Sequence, residues 1–452
     1  MTGWKALPRH ARSFLLRRDV LPLLVILLLA LALRLTWIHF VNPAPNDGRL
    51  DDSAVYHQTA VDIIHGRGFQ WVDRYSGPPG GPLASAPTAF WGVGYPLILA
   101  GIYSLFGVSI FAAKTLNVLL SVATCLLAYL VGRQVFDRRV GLAAAAVLAF
   151  FPSQVYFSTV LMTEVTWTFF AMLFLYLVLR FTIRSISWQA AALLGLLLGA
   201  ASLIRGEMLL FPLVLIAVWA LAHHSLGKAL RYGAITFAAV AVALLPWTIR
   251  NWVVLGYPVA VSTGSADNLL AGHWSGANGI GSFVPGLALN EKYSYLLNPE
   301  REVKIYREEI HQAVSFAVHN PGKELQLIPE KLRYFYREDS RPLLLVQVYR
   351  PALDQTAEDR LSNVANVYYY LAIAAAALGA PLWFSLRDPK KLLILALILY
   401  YSVLFGFVFI GEERFHSALI PALSILAAAS LISIGERVRD WAKRPPAAEA
   451  SG

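Results

Sequence analysis

The chain has 452 residues, of which 57% are apolar, 12% aromatic and only 15% charged, and its mean hydropathy is +0.55. Soluble domains carry about 25% charged residues, and a soluble core with one anchor cannot account for apolar runs of about 20 residues that recur from one end to the other; the bulk of the protein belongs in a bilayer. A net charge of +10 would suggest nucleic acid in a soluble protein, but here the basic residues cluster between apolar runs, where they set topology.

The first apolar run follows Lys5, Arg9, Arg12, Arg17 and Arg18 as a signal peptide would. It extends about 20 residues without an A-x-A site after it, and so reads as a retained first span. Long apolar runs that lack the alternation of a barrel are helices, because in hydrocarbon the backbone must satisfy itself. They predict spans over residues 20–40, 110–132, 139–158, 165–183, 189–204, 208–222, 232–250, 364–386, 391–410 and 415–434. The expected fold is therefore all-α and polytopic, with ten transmembrane helices. Cys125, the single cysteine, lies inside one of these runs and excludes an intrachain disulfide or a cysteine-based metal site.

With the N-terminus cytoplasmic, the N-terminal tail and segments 133–139, 180–184, 223–231, 387–391 and 435–444 fall inside and carry nineteen Lys and Arg. The short outer connections near Glu164, Arg205 and Arg414 carry two. That is the positive-inside asymmetry, and it puts both termini in the cytoplasm. Two long outer segments remain, 41–109 and 251–363. In the first, Ala60, Val61 and Ile64 share a helical face over Ser53–His65, which suits an interfacial helix. The run Gly94–Gly107 is short and aromatic; crossing there would turn Arg133, Arg138 and Arg139 outward, so it is placed as a second interfacial or re-entrant helix. The second segment joins a Gly-rich stretch, Gly264–Gly281, to charged helical patterning over Glu300–Asp339, as in a small outer domain. The tail from Pro445 reads as disordered.

Charged residues at the outer helix ends are few and costly, which makes them candidates for function. Asp52, beside Asp51, precedes a helix, and its position favours an N-cap; the alternative, which that role does not exclude, is a general base that takes a proton from an acceptor hydroxyl. Glu164, after Thr163, is either a first-turn acid complementing the helix dipole or a second carboxylate that orients the acceptor, shares a proton with Asp52 or binds a divalent cation. Arg205 and Arg414 are snorkelling arginines or planar forks for a phosphate leaving group. Arg34, well inside the first span, needs a partner, and Asp51 or Asp52 is a natural one. The spacings of His57, His65, His273 and His416 suggest no metal site. Gly276, Asn278 and Gly279 could give close backbone approach to a sugar or simple loop flexibility. Walker, G-x-S-x-G and H-E-x-x-H motifs are missing, so nucleotide hydrolysis and zinc proteolysis are unsupported.

Asp52-Ser53-Ala54-Val55-Tyr56-His57, then Gly66-Arg67-Gly68-Phe69, Gly94-Tyr95-Pro96-Leu97 and Leu105-Phe106-Gly107 resemble the first outer loop of polytopic C-type glycosyltransferases. The nearest group is family 39, which includes protein O-mannosyltransferases and lipid A aminoarabinose transferases. Thr163-Glu164, Leu203-Ile204-Arg205, Asn268-Leu269-Leu270 and Arg414-Phe415 through Pro421 follow in order. The resemblance implies a seven-helix catalytic module in residues 1–250, an outer domain in 251–363 and three further spans in 364–444, in a bacterial inner membrane with the active site facing outward. It implies inverting transfer of a sugar from a polyprenyl phosphate to a hydroxyl-bearing glycan, lipid or protein. Asp52 becomes the base, with Asp51 as fallback and Glu164 beside them; Arg205, Arg414 and Arg34 become donor-phosphate ligands, and Tyr56, Tyr95 and Asn268 substrate contacts. The chain departs from the family pattern in having Ser53 after Asp52, and Gly94-Tyr95-Pro96-Leu97 in place of a Pro-Pro-Leu element. The rival function is a flippase for a lipid-linked saccharide, which would need polar residues through the depth of the helices and often an inverted repeat; the sequence shows neither.

Overall fold

The computed structural model describes residues 20–41, 52–73, 84–349, 353–385 and 387–443. Asp51, the basic N-terminal tail and the segment from Pro445 lie outside them. The first half of the chain forms α1 (Val20–Phe40), α2 (Asp52–Ile64), strands β1 (Gln70–Asp73) and β2 (Ala84–Pro87), α3 (Gly94–Phe106), α4 (Ile110–Val135), α5 (Arg138–Ala149), α6 (Pro152–Phe157), α7 (Thr163–Phe181), α8 (Trp188–Ser202), α9 (Phe211–His223) and α10 (Leu226–Leu255). Then come α11 (Gly264–Gly272), α12 (Val284–Lys292), α13 (Glu300–His319), α14 (Pro321–Phe335), α15 (Arg341–Tyr349), α16 (Gln355–Trp383), α17 (Pro389–Val403) and α18 (Ile420–Ala442).

Eight of the described helical stretches are long and apolar enough to cross a membrane: α1, α4, α7, Gly206–His223, α10, α16, Pro389–Val408 and Glu413–Ala442. The fold is that of a multi-pass helical membrane protein. Helix α1 sits at the rim, with Leu21, Leu28 and Leu33 exposed, whereas Ile420, Ala422, Ile425 and Ala428 of α18 are buried at the centre. Two expected spans take a different form. The 189–204 segment is a fifteen-residue helix, α8. The 139–158 segment breaks after Ala149, and Pro152, which cannot continue a helix, starts the short α6. Residues 158–162 then run buried and largely non-helical to α7. Such backbone is tolerated only where protein satisfies it, and Asn117 Nδ2 donates to Val160 O at 2.9 Å. The break carries Thr163 and Glu164 into the protein interior, both about 2% exposed.

Residues 41–109 contain the two expected helices, α2 and α3, packed on each other through Tyr56 and Tyr95, whose rings meet edge to face at 5.2 Å. Between them β1 and β2 form an antiparallel ribbon, with Gln70 opposite Pro87, which the sequence reading did not anticipate. From β2 the chain continues as a strap, residues 88–93, that runs in front of the bundle. The 251–363 segment is a cluster of helices, α11–α15, among its described residues. One side chain ties it to the strap. Glu302 of α13 accepts from Thr88 Oγ1 at 2.8 Å, Ala89 N at 2.9 Å and Thr263 Oγ1 at 2.7 Å. Burial holds the Glu302 carboxyl above its ordinary range, and these three donors offset only part of that rise.

Candidate active site

The strap is held on both sides by backbone. Thr263 N donates to Ala89 O at 2.8 Å, Gly264 N to Phe90 O at 3.1 Å, and Gly94 N to Leu203 O at 2.7 Å. Arg250 braces it from α10, donating to Thr88 O at 2.7 Å and Phe69 O at 2.6 Å. The approach to residues 203–204 is too close for a side chain: a Cβ on Gly94 would lie 2.8 Å from Ile204 N, and one on Gly92 would lie 2.5 Å from Leu203 O. Gly94→Ala is therefore expected to lower stability by about 1–3 kcal/mol through overpacking, measured as thermal unfolding in detergent micelles; an unchanged transition would show that the strap can move away.

Strap, α2, the 204–209 turn, α11 and the 405–415 segment enclose a cavity of about 550 Å³ lined by Asp52, Tyr56, Trp91, Arg205, Asn268 and Arg414, among others. Asp52 Oδ2 takes an ion pair from Arg414 Nη1 at 3.0 Å, and Asp52 Oδ1 accepts from Trp91 Nε1 at 3.3 Å. Both oxygens of Asp52 are thus engaged by side chains facing the cavity, although Asp52 is also the first residue of α2. Arg414 Nε lies 2.9 Å from Glu412 Oε1, close enough for charge attraction without hydrogen-bond alignment.

Arg205 stands beside this pair. It donates to Glu207 Oε1 at 2.7 Å through Nε, and through Nη1 to Glu164 Oε1 and Thr163 Oγ1, each at 3.1 Å. Burial works against its charge, but Glu207 and Glu164 more than offset that and hold the guanidinium above its ordinary pKa. Phe415 lies under both arginines, 4.9 Å from the Arg205 guanidinium and 5.3 Å from that of Arg414, and stacks on Phe405 at 5.0 Å. A ring face beneath two cations attracts both and fixes their planes. Burial, with Asp52 and Glu164 nearby, pushes the Tyr56 phenol well above its ordinary pKa, so it presents a neutral hydroxyl.

Of the sequence-predicted residues, Asp52, Tyr56, Arg205, Asn268 and Arg414 line the cavity, and Glu164 reaches it through Arg205. Thr163 is not the N-cap of α7; Met162 holds that position, and the Thr163 hydroxyl serves Arg205 instead. Tyr95 is fully buried behind Tyr56, away from the cavity. Arg34 does not reach Asp52. It is buried between helices, donating to Ser121 Oγ at 2.7 Å, Ala149 O at 3.0 Å and Ala30 O at 3.1 Å, so the expected pairing is corrected: carbonyls and a serine inside the bundle take hydrogens from Nε and Nη1, while Nη2 has no hydrogen-bond partner among the described residues. Gly279, at φ 95°, does allow close backbone approach, but of Glu330 and Lys331 in α14. His416 lies behind the arginines, with Nδ1 2.6 Å from Phe335 O and Nε2 3.1 Å from Asp339 Oδ1. Among the described residues no three His, Cys, Asp or Glu side chains gather as for a metal ion.

The sequence reading gave no role to Glu207, Glu412, Phe415 or Trp91. A signal was present for two of them: Glu207 and Glu412 each lie two residues from an arginine, at a depth where an unpaired acid is expensive.

Residues 92–247 match the dolichyl-phosphate-mannose-protein mannosyltransferase family. The fold is similar to that of the Archaeoglobus fulgidus oligosaccharyltransferase in its apo form, with a TM-score of 0.56 and 16% identity over 95% of this chain and 52% of that one. The chain has the C-type glycosyltransferase fold. The oligosaccharyltransferase AglB from the same organism, in complex with an inhibitory peptide and a dolichol-phosphate, overlaps the C-type fold seen here at a TM-score of 0.52, with 14% identity over 93% of this chain and 51% of that one. ArnT from Cupriavidus metallidurans bound to undecaprenyl phosphate overlaps more loosely, at 0.43, with 14% identity over 92% and 62% of the two chains. This C-type chain spans about half the length of the oligosaccharyltransferases it matches. None of the curated proteins matches it in sequence.

Proposed function

We propose that the protein is an inverting glycosyltransferase that moves a sugar from a polyprenyl phosphate to a hydroxyl of a cell-envelope glycan, lipid or protein. The observation that carries this reading is the 3.0 Å pair between Asp52 and Arg414, 362 residues apart, in a cavity that also holds Arg205. A carboxylate and two guanidinium groups at one cavity are what a single displacement from a phosphate leaving group needs. Asp52 takes the proton of the acceptor hydroxyl as its oxygen bonds to the anomeric carbon. The bond from that carbon to the phosphate oxygen breaks, and its electron pair leaves with the polyprenyl phosphate, whose charge Arg205 and Arg414 meet. No covalent enzyme intermediate forms, and the anomeric configuration inverts.

The family match over residues 92–247 and the dolichol-phosphate held by AglB support a lipid-linked donor. The positive-inside charge pattern supports cytoplasmic termini and an outer-facing site; the membrane of this reading is a bacterial inner membrane.

The test is to feed membranes containing the protein a radiolabelled hexosyl polyprenyl phosphate. Label is expected to reach an envelope acceptor as free polyprenyl phosphate appears in equal amount. Label that crosses the membrane still attached to its lipid would make the protein a transporter and end the enzyme assignment.

A further inference from the structure

One wall of the cavity carries an acid that the displacement does not use, and a second acid lies behind it. Asp267, on α11, lines the cavity next to Asn268. Glu309, on α13, is only 4% exposed, and its carboxyl comes to the same place: a Cβ on Gly286 of α12 would lie 2.5 Å from Asp267 Oδ1 and 3.3 Å from Glu309 Oε1. The glycine is what lets the two carboxyls meet. Among the described residues neither acid has a cation or a hydrogen-bond donor as partner, in contrast to Asp52, Glu164, Glu207 and Glu302, each of which does. A buried carboxyl without a donor is costly; Glu309 is the buried one and lies behind the wall, whereas half-buried Asp267 lines the cavity, where a ligand would supply hydrogens to its acceptor oxygens.

We propose that Asp267, backed by Glu309, is the sugar-recognition subsite of the cavity, accepting hydrogen bonds from the hydroxyls of the donor's sugar ring while the arginines hold its phosphate. The assignment rests on the glycosyltransferase reading and adds the part of the donor that this wall takes. The donor supplies the two chemistries that the cavity offers: an anion for Arg205 and Arg414, and a ring of hydroxyl donors for an acid wall free of cations. Burial, with Asp267 close by, pushes the Glu309 carboxyl up to about 9, and burial pushes Asp267 up to about 6. Glu309 is therefore the acid that holds its proton more tightly, and Asp267 the better acceptor. Charge-assisted hydrogen bonds of this kind are about twice as strong as neutral ones.

The roles of the two acids differ, and that makes the proposal testable. Binding of undecaprenyl phosphate and of its mannosyl, glucosyl and galactosyl derivatives would be measured on the purified full-length protein in detergent. The wild type is expected to bind at least one hexosyl lipid about tenfold or more tightly than the bare lipid. Asp267→Asn is expected to abolish that preference and leave bare-lipid binding intact, which also shows that the variant is folded. Glu309→Gln, a mimic of the protonated acid, is expected to keep the preference. A preference that survives Asp267→Asn would overturn the subsite while leaving the enzyme reading in place, and would reduce the pair to a strut between α11 and α13. A wild type without preference for any of these hexosyl lipids would also overturn the subsite, whereas the enzyme reading falls only if the transfer assay fails.

Discussion

Asp52→Asn is expected to slow sugar transfer by about 10²- to 10⁴-fold, the range associated with loss of a general base, with little change in stability. The substitution keeps the shape of the side chain, and an amide oxygen can still accept from Trp91. What it removes is the proton-accepting charge and the ion pair with Arg414. That pair is partly open, with side-chain exposures of 22% for Arg414 and 33% for Asp52, and pairs in such settings are worth about 0–1 kcal/mol. Initial rates with a radiolabelled hexosyl lipid, beside a thermal unfolding curve of the same preparation, separate chemistry from folding. Transfer at the wild-type rate would remove Asp52 as the base, because Asn has no basic oxygen to replace it.

Arg205→Gln is expected to act on folding as well as on chemistry. Its guanidinium bridges Glu164 and Glu207, at 3.1 Å and 2.6 Å, and both acids are buried. Removing the cation strands two carboxylates in the interior, and breaking a buried pair in this way costs about 3–5 kcal/mol. The unfolding transition in micelles should fall sharply. Adding Glu164→Gln to Arg205→Gln should restore part of that stability, because one stranded charge is gone, yet restore no transfer, because nothing then replaces the cation offered to the phosphate. Full stability in the single variant would mean that the acids do not depend on Arg205.

The charged residues of the cavity were legible because a bilayer makes charge conspicuous. Asp52, Arg205 and Arg414 stood out against apolar surroundings, and they do line one cavity. The same rule misled at Arg34, since sequence spacing does not show that Ser121 and the carbonyl of Ala149 on neighbouring helices, with that of Ala30 one turn back, can accept its hydrogens. Glu302 gave no sign at all. It lies in a helix rich in charge, and its partners Thr88 and Thr263 are ordinary loop residues distant in sequence. The apolar stretch 139–158 looked like one span because Pro152 falls between two runs of similar hydropathy; only the packing shows that the break serves to bring Glu164 inward.

The bond between Asp52 and Arg414 also sets a timetable. A ribosome must deliver another 362 residues after the aspartate before its arginine exists, and by then most of the bundle has been threaded into the membrane. A nascent or prematurely terminated chain can thus hold every group on the Asp52 side of the cavity and still lack the arginine that completes it.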